Sequence, residues 1–228
     1  MPSSSERTPT AVIFDLDGTL VDSNRDLVPT LNRTTALDGV PPISLDAVGH
    51  VVGQGAMAMI AKAFSFHGHG LNADRHRELF EIFLADYEAH LCDNTVFFDG
   101  ALAAMEGLKA DGWRLLVCTN KLERFAVKLL EGLGASGEFE GIVGGDTFSF
   151  RKPDPRHITA TAERFGVPPE NCVMVGDSIN DIQAAKDARM PVIAVTFGYS
   201  DVPVETLEPD HTIAHFDELQ DAVRSVFV

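Results

Sequence analysis

Residues 11–19 read Ala11-Val12-Ile13-Phe14-Asp15-Leu16-Asp17-Gly18-Thr19. Four apolar residues run without alternation and stop at an aspartate. A run of that length with no polar face is the pattern of a strand covered on both sides, as in a parallel sheet. The pattern returns along the chain. Arg114 to Cys118 ends at Thr119, and Glu140 to Val143 ends in glycines. Cys172 to Val175 ends at Gly176-Asp177, and Pro191 to Val195 precedes Phe197-Gly198. A weaker run spans His211 to Ala214. Helical patterns fill the intervals at about 100–111, 121–132, 155–166, 180–189 and 216–226. Alternating strand and helix predicts an α/β fold built on a doubly wound, Rossmann-like parallel sheet.

One stretch breaks the rhythm. Residues 22–97 hold no convincing strand. Asp22 to Leu37 reads as one helix, stopped by Asp38-Gly39 and Pro41-Pro42. Gly55 to Phe66 reads as a second, stopped by Gly68 and Gly70. Ala73 to Leu91 reads as a third, with Leu79, Phe83, Tyr87 and Leu91 at helical spacing. Such an insertion is too long for a loop. The expected division is a core of residues 1–21 and 98–228 with a helical cap domain of residues 22–97.

Composition narrows the function. The chain has 228 residues, 45% apolar and 23% charged, which is ordinary for a globular domain with a real core. Its charge is −16, from 18 Lys and Arg against 34 Asp and Glu. That balance argues against binding nucleic acid or an anionic membrane surface by charge. An anionic ligand must instead be met locally, by a metal or a few placed cations. Cys92, Cys118 and Cys172 are odd in number and far apart, so neither a disulfide framework nor a Cys-rich zinc site is expected. The N-terminal MPSSSERTPT has no apolar signal core, and no run is long enough to span a membrane. The cytoplasm is the expected compartment. Monomer and homodimer are both open.

An open α/β sheet binds its ligand beyond the carboxyl ends of its strands, and four of these ends carry unusual polar groups. Asp15 and Asp17 follow the first strand; two adjacent carboxylates repel unless a cation or a shared proton relieves them. Gly18 lets the chain turn close to a ligand. Thr119 and Asn120 offer a hydroxyl, an amide and backbone N–H groups, the makings of a phosphate cradle. Lys152 stands in Arg151-Lys152-Pro153-Asp154-Pro155, where prolines stiffen its approach. Asp177 and Asp181 flank a helix start. Each alone reads as a turn former, a cap or a solvated charge. Together they describe a site.

This order and spelling resembles the haloacid dehalogenase-like hydrolase superfamily. The motifs that carry it are DLDGT at 15–19, Thr119, Lys152 in RKPDP, and GDSIND at 176–181. Within it the chain is similar to the phosphoglycolate phosphatases, through DLDGTLVDS, Val52-Gly53-Gln54-Gly55, Thr119-Asn120-Lys121 and GDSINDIQAA. It departs from them at Leu122, where a proline is common, at Asp99 before Gly100, and at Arg189 in place of a frequent glycine.

The resemblance implies a C1-type cap and a Mg²⁺-dependent phosphatase. Asp15 would be the nucleophile, and Asp17 the acid and then the base. Asp15, the Asp17 backbone carbonyl and Asp177 would hold the metal. Asp181 would support the metal's surroundings or orient Lys152. Thr119, Asn120 and Lys152 would grip the phosphoryl oxygens. Gly53, Gln54 and Gly55 could aim backbone N–H groups at a substrate carboxylate; the plain alternative is a turn between helices. Arg25 and Arg33 are further anion candidates or surface charges. The expected substrate is a small phosphorylated metabolite, 2-phosphoglycolate first. A pyrophosphatase, a sugar phosphatase and a β-phosphoglucomutase-like enzyme are the alternatives, and a non-catalytic phospholigand-binding protein is the remote one.

Overall fold

The computed structural model describes residues 10–44, 47 and 55–227. Six strands, β1 (Ala11–Phe14), β2 (Arg114–Cys118), β3 (Gly141–Val143), β4 (Cys172–Gly176), β5 (Val192–Val195) and β6 (His211–Ile213), form one sheet in the order β3-β2-β1-β4-β5-β6. Every pairing is parallel. The chain direction across the sheet reverses between β1 and β4, which is where a doubly wound sheet opens a crevice at its carboxyl edge.

The unalternating strand runs have a physical reason. Val12 and Phe14 of β1 pack with Leu115, Val117, Val173 and Val175 on one face. Ala11 and Ile13 pack with Leu116, Cys118, Cys172 and Met174 on the other. Side chains alternate along a strand, and both faces are covered, so every position is apolar. The first face meets α4 (Ala101–Ala110), α5 (Glu123–Gly132) and α8 (Leu219–Ser225). The second meets α6 (Arg156–Arg164) and α7 (Ile179–Ala188). Cys92, Cys118 and Cys172 are free thiols.

The described part of the insertion is helical, as its pattern predicts: α1 (Asn24–Ala36), α2 (Ala56–Phe66) and α3 (Ala73–Ala89). Leu79, Phe83 and Tyr87 form the buried stripe of α3. The two crossings between sheet and cap run side by side. Asp22 N donates to Val96 O at 2.9 Å, and Phe98 N donates to Leu20 O at 3.0 Å. We propose residues 22–97 as the bounds of the cap on that basis.

Two departures from the family spelling are absorbed locally. Leu122, just before α5, has φ −56°, the angle a proline would fix. Arg189 ends α7 at φ 56°, in the left-handed region that glycine enters without strain. Arg189→Gly should therefore raise stability by about 0.5–1 kcal/mol, read from denaturant melts. A loss of stability would mean that the arginine side chain compensates for its backbone.

Candidate active site

Asp15 begins where β1 stops. Its N–H donates to Val175 O on β4 at 2.9 Å, so it stands at the switch point itself. One carboxylate oxygen accepts from Leu16 N at 2.7 Å and lies 3.0 Å from Lys152 Nζ. Lys152 is buried. Its ammonium also donates to Asp181 Oδ1 and to Cys118 O, both at 2.6 Å. Burial works against that charge, yet Asp15 and Asp181 together push the lysine pKa up. It is a permanent cation.

The Lys152 backbone is held just as firmly. Asn120 Nδ2 donates to Lys152 O at 2.9 Å. Lys152 N donates to His157 Nδ1 at 3.2 Å, which leaves His157 Nε2 to donate to Gly144 O at 3.1 Å. Both ring nitrogens are engaged in the neutral tautomer. Burial first, and then Lys152, lower the His157 pKa to about 4.

Asp177 follows β4. Thr19 Oγ1 donates to one of its oxygens at 3.2 Å and Tyr199 N to the other at 2.6 Å. Gly18, at φ 84°, passes so close that an added Cβ would lie 2.4 Å from Asp177 Oδ2. Carboxylate oxygens of Asp15, Asp177 and Asp181 lie within 4.8 Å of one another. Burial and the neighbouring acids raise Asp177 well above the usual carboxylate range. Asp15 is raised to about 6, by burial against the opposing pull of Lys152. Three acids around one ammonium leave a local excess of negative charge, and a divalent cation fits that deficit. Asp181 has little left to offer it. One oxygen takes Lys152, and the other accepts from Ser178 N and Oγ at 3.1 and 2.7 Å.

Asp17 points elsewhere. Lys121 Nζ lies 3.0 and 3.1 Å from its two oxygens and donates to Tyr87 Oη at 2.6 Å. The turn at Gly18 thus splays two carboxylates into different surroundings, one against Lys152 and one against Lys121. Tyr87 comes from α3 and packs edge-on against Phe125 of α5, ring centres 5.6 Å apart. Core and cap meet over the site at this point.

A cavity of about 130 Å³ lies between them. Asp15, Asp17, Thr119, Asn120 and Lys152 line it from the core, and Met59, Phe80, Phe83 and Tyr87 from the cap. Gly55 lines it too, whereas Gly53 and Gln54 fall outside the described residues. Arg25 is paired with Asp22 and Arg33 with Asp86, both toward solvent, and neither lines the cavity.

The sequence gives no sign of a site role for His157 or Tyr199, and places Tyr87 only in a helical stripe. Lys121 left a trace as the third residue of Thr119-Asn120-Lys121.

Comparison with known proteins agrees with this geometry. Residues 9–189 match the family model of the haloacid dehalogenase-like hydrolases. The chain belongs to that family. It is 47% identical to a phosphoglycolate phosphatase of Agrobacterium fabrum, over 92% of this chain and 91% of that one. It is 39% identical to a phosphoglycolate phosphatase of Mesorhizobium japonicum, over 91% and 92%. A crystal structure described as a predicted phosphoglycolate phosphatase from Haemophilus somnus superposes with a TM-score of 0.88 at 28% identity, covering 96% of this chain and all of that one.

The acid cluster makes a stability prediction. Asp15 binds its proton more tightly folded than unfolded, so its ionisation weakens the fold as pH rises from about 4 through about 6. The cost, on the order of 1–3 kcal/mol, is absent below that window and complete at pH 7.5. His157 acts in the opposite direction, adding stability as pH rises from about 4 to about 6.5, but it is common to both proteins compared. Asp15→Asn should leave Tm of the metal-free protein little changed at pH 4 and raise it by about 3–6 °C at pH 7.5. The Mg²⁺-induced rise in Tm should shrink in the same variant. A lower Tm at pH 7.5 with an undiminished Mg²⁺ effect would show that Asp15 is neither strained nor part of the cation site.

Proposed function

We propose that this hydrolase removes the phosphoryl group of 2-phosphoglycolate, with Mg²⁺ as cofactor and Asp15 as nucleophile. The class of enzyme, a phosphoric monoester hydrolase similar to the phosphoglycolate phosphatases, carries over from relatives that match nearly the whole chain. The observation that carries the mechanism is the buried Lys152 ammonium, 3.0 Å from Asp15 and braced by Asp181.

An Asp15 oxygen attacks phosphorus, forming an aspartyl-phosphate as the ester oxygen leaves. Asp17 gives that oxygen a proton and then takes one from the water that releases phosphate. Lys152, the Thr119 hydroxyl and the Asn120 backbone N–H hold the phosphoryl oxygens. Asp15, Asp177 and the Asp17 carbonyl would hold Mg²⁺, which would supply charge that offsets the phosphoryl group's own. Asp181 keeps Lys152 aimed, and Lys121 fixes the Asp17 carboxylate. The separate partners of Asp15 and Asp17 support two roles for two chemically identical side chains.

The cap excludes water and limits substrate size, and a small cavity favours a small ester. Gly53, Gln54 and Gly55 remain the proposed cap contact to the substrate. No described helix is long and apolar enough to cross a membrane. We place the enzyme in the cytoplasm, as a monomer or homodimer, acting without nucleic acid or membrane.

Phosphate release from a panel of small phosphate esters and pyrophosphate tests this reading. Release should be fastest from 2-phosphoglycolate, abolished by EDTA and lost in Asp15→Asn. Faster release from pyrophosphate or a sugar phosphate would keep the mechanism and change the substrate. Tight binding without turnover would make the chain a phospholigand-binding protein.

A further inference from the structure

We infer that Arg151 holds the carboxylate of the substrate, an assignment that rests on the proposed substrate being a short phosphate ester that also carries an acid group. Three cations line the cavity: Lys121, Arg151 and Lys152. Lys152 is committed to Asp15, Asp181 and the phosphoryl group. Lys121 is committed to both oxygens of Asp17 and to Tyr87. Arg151 has no such partner.

That freedom is unusual in this chain. Acids outnumber cations 34 to 18. Among the described residues, every lysine and arginine except Lys62, Arg151, Arg164 and Arg189 is ion-paired. Of those four only Arg151 lines the cavity. The described part of the cap offers the cavity no charge. Among the described residues its share of the lining is apolar but for the Tyr87 hydroxyl, with Met59, Phe80 and Phe83 at its centre.

The backbone beneath the guanidinium is fixed, and Arg151 is exposed where its neighbour Lys152 is buried. Arg151 O accepts from Asp154 N at 2.9 Å, and the next residue is pinned by Asn120 and His157. Arg151 directly precedes the lysine that grips the phosphoryl group, so their Cα atoms are about 3.8 Å apart. In 2-phosphoglycolate the carboxylate stands one methylene beyond the ester oxygen. Arg151 and Lys152 both line the cavity, so a phosphoryl group at Lys152 leaves the carboxylate in a space that Arg151 also borders. A guanidinium fork matches a carboxylate with two parallel hydrogen bonds, which no neutral ester can accept in the same way.

The test compares 2-phosphoglycolate with ethyl phosphate, which has a methyl group where the acid stands. The readout is the ratio of their kcat/KM values in wild type, Arg151→Met, Arg151→Lys and Lys121→Met. Arg151→Met should lower the ratio by on the order of 10- to 100-fold, and Arg151→Lys should restore part of it. An unchanged ratio in Arg151→Met would overturn the assignment, as would a ratio that collapses only in Lys121→Met. A wild-type enzyme with no preference for 2-phosphoglycolate would instead overturn the proposed substrate, whatever the variants do.

Discussion

One buried ammonium organises the site. Lys152 lies between Asp15, Asp181 and the carbonyl of Cys118, with its side chain almost wholly out of water. A lone charge there would be untenable, and so would the acids without it. Its contacts tie together four strand ends: Asp15 after β1, Cys118 on β2, the loop after β3, and Asp181 after β4. The sheet order therefore matters chemically. Only with β1 central, between β2 and β4, can one lysine reach all three neighbours.

The same arrangement works against the fold that carries it. Asp15, Asp177 and Asp181 crowd together in a buried place, and the pKa values of Asp15 and Asp177 rise because ionisation is resisted there. Acids crowded and buried in this way strain the fold that holds them. The large cores on both sheet faces supply the stability that this site gives up. Asp17 escapes the crowding because the Gly18 turn directs it to Lys121, whose other partner, Tyr87, belongs to the cap. Cap and core thus meet at the Asp17 carboxylate as well as over apolar side chains.

Local rules made the sheet readable. A run such as Ala11 to Phe14 announces a two-sided strand in four letters, and all six strands lie where such runs occur. The cap helices were legible from stripes such as Leu79, Phe83 and Tyr87. Their ends shifted by a residue or two, since capping depends on backbone angles that spelling does not fix. The final helical pattern split into a 3₁₀ turn at Phe216–Glu218 and a short helix. Motif residues were legible because their chemistry is rare in combination. What could not be read were partners joined only by folding. Lys121 and Asp17 are 104 positions apart, and His157 looks like any helical histidine until it is found beneath Lys152. An unpaired arginine is likewise invisible until every other cation has been assigned its acid.

If Asp15 is the nucleophile, it becomes phosphorylated during turnover. Rapid acid quench of the Mg²⁺-loaded enzyme turning over 2-phosphoglycolate, borohydride reduction and peptide mass analysis test it directly. Homoserine should form at position 15, only with substrate and not in Asp15→Asn. Substrate turnover with residue 15 unmodified, or modification at another aspartate, would contradict it.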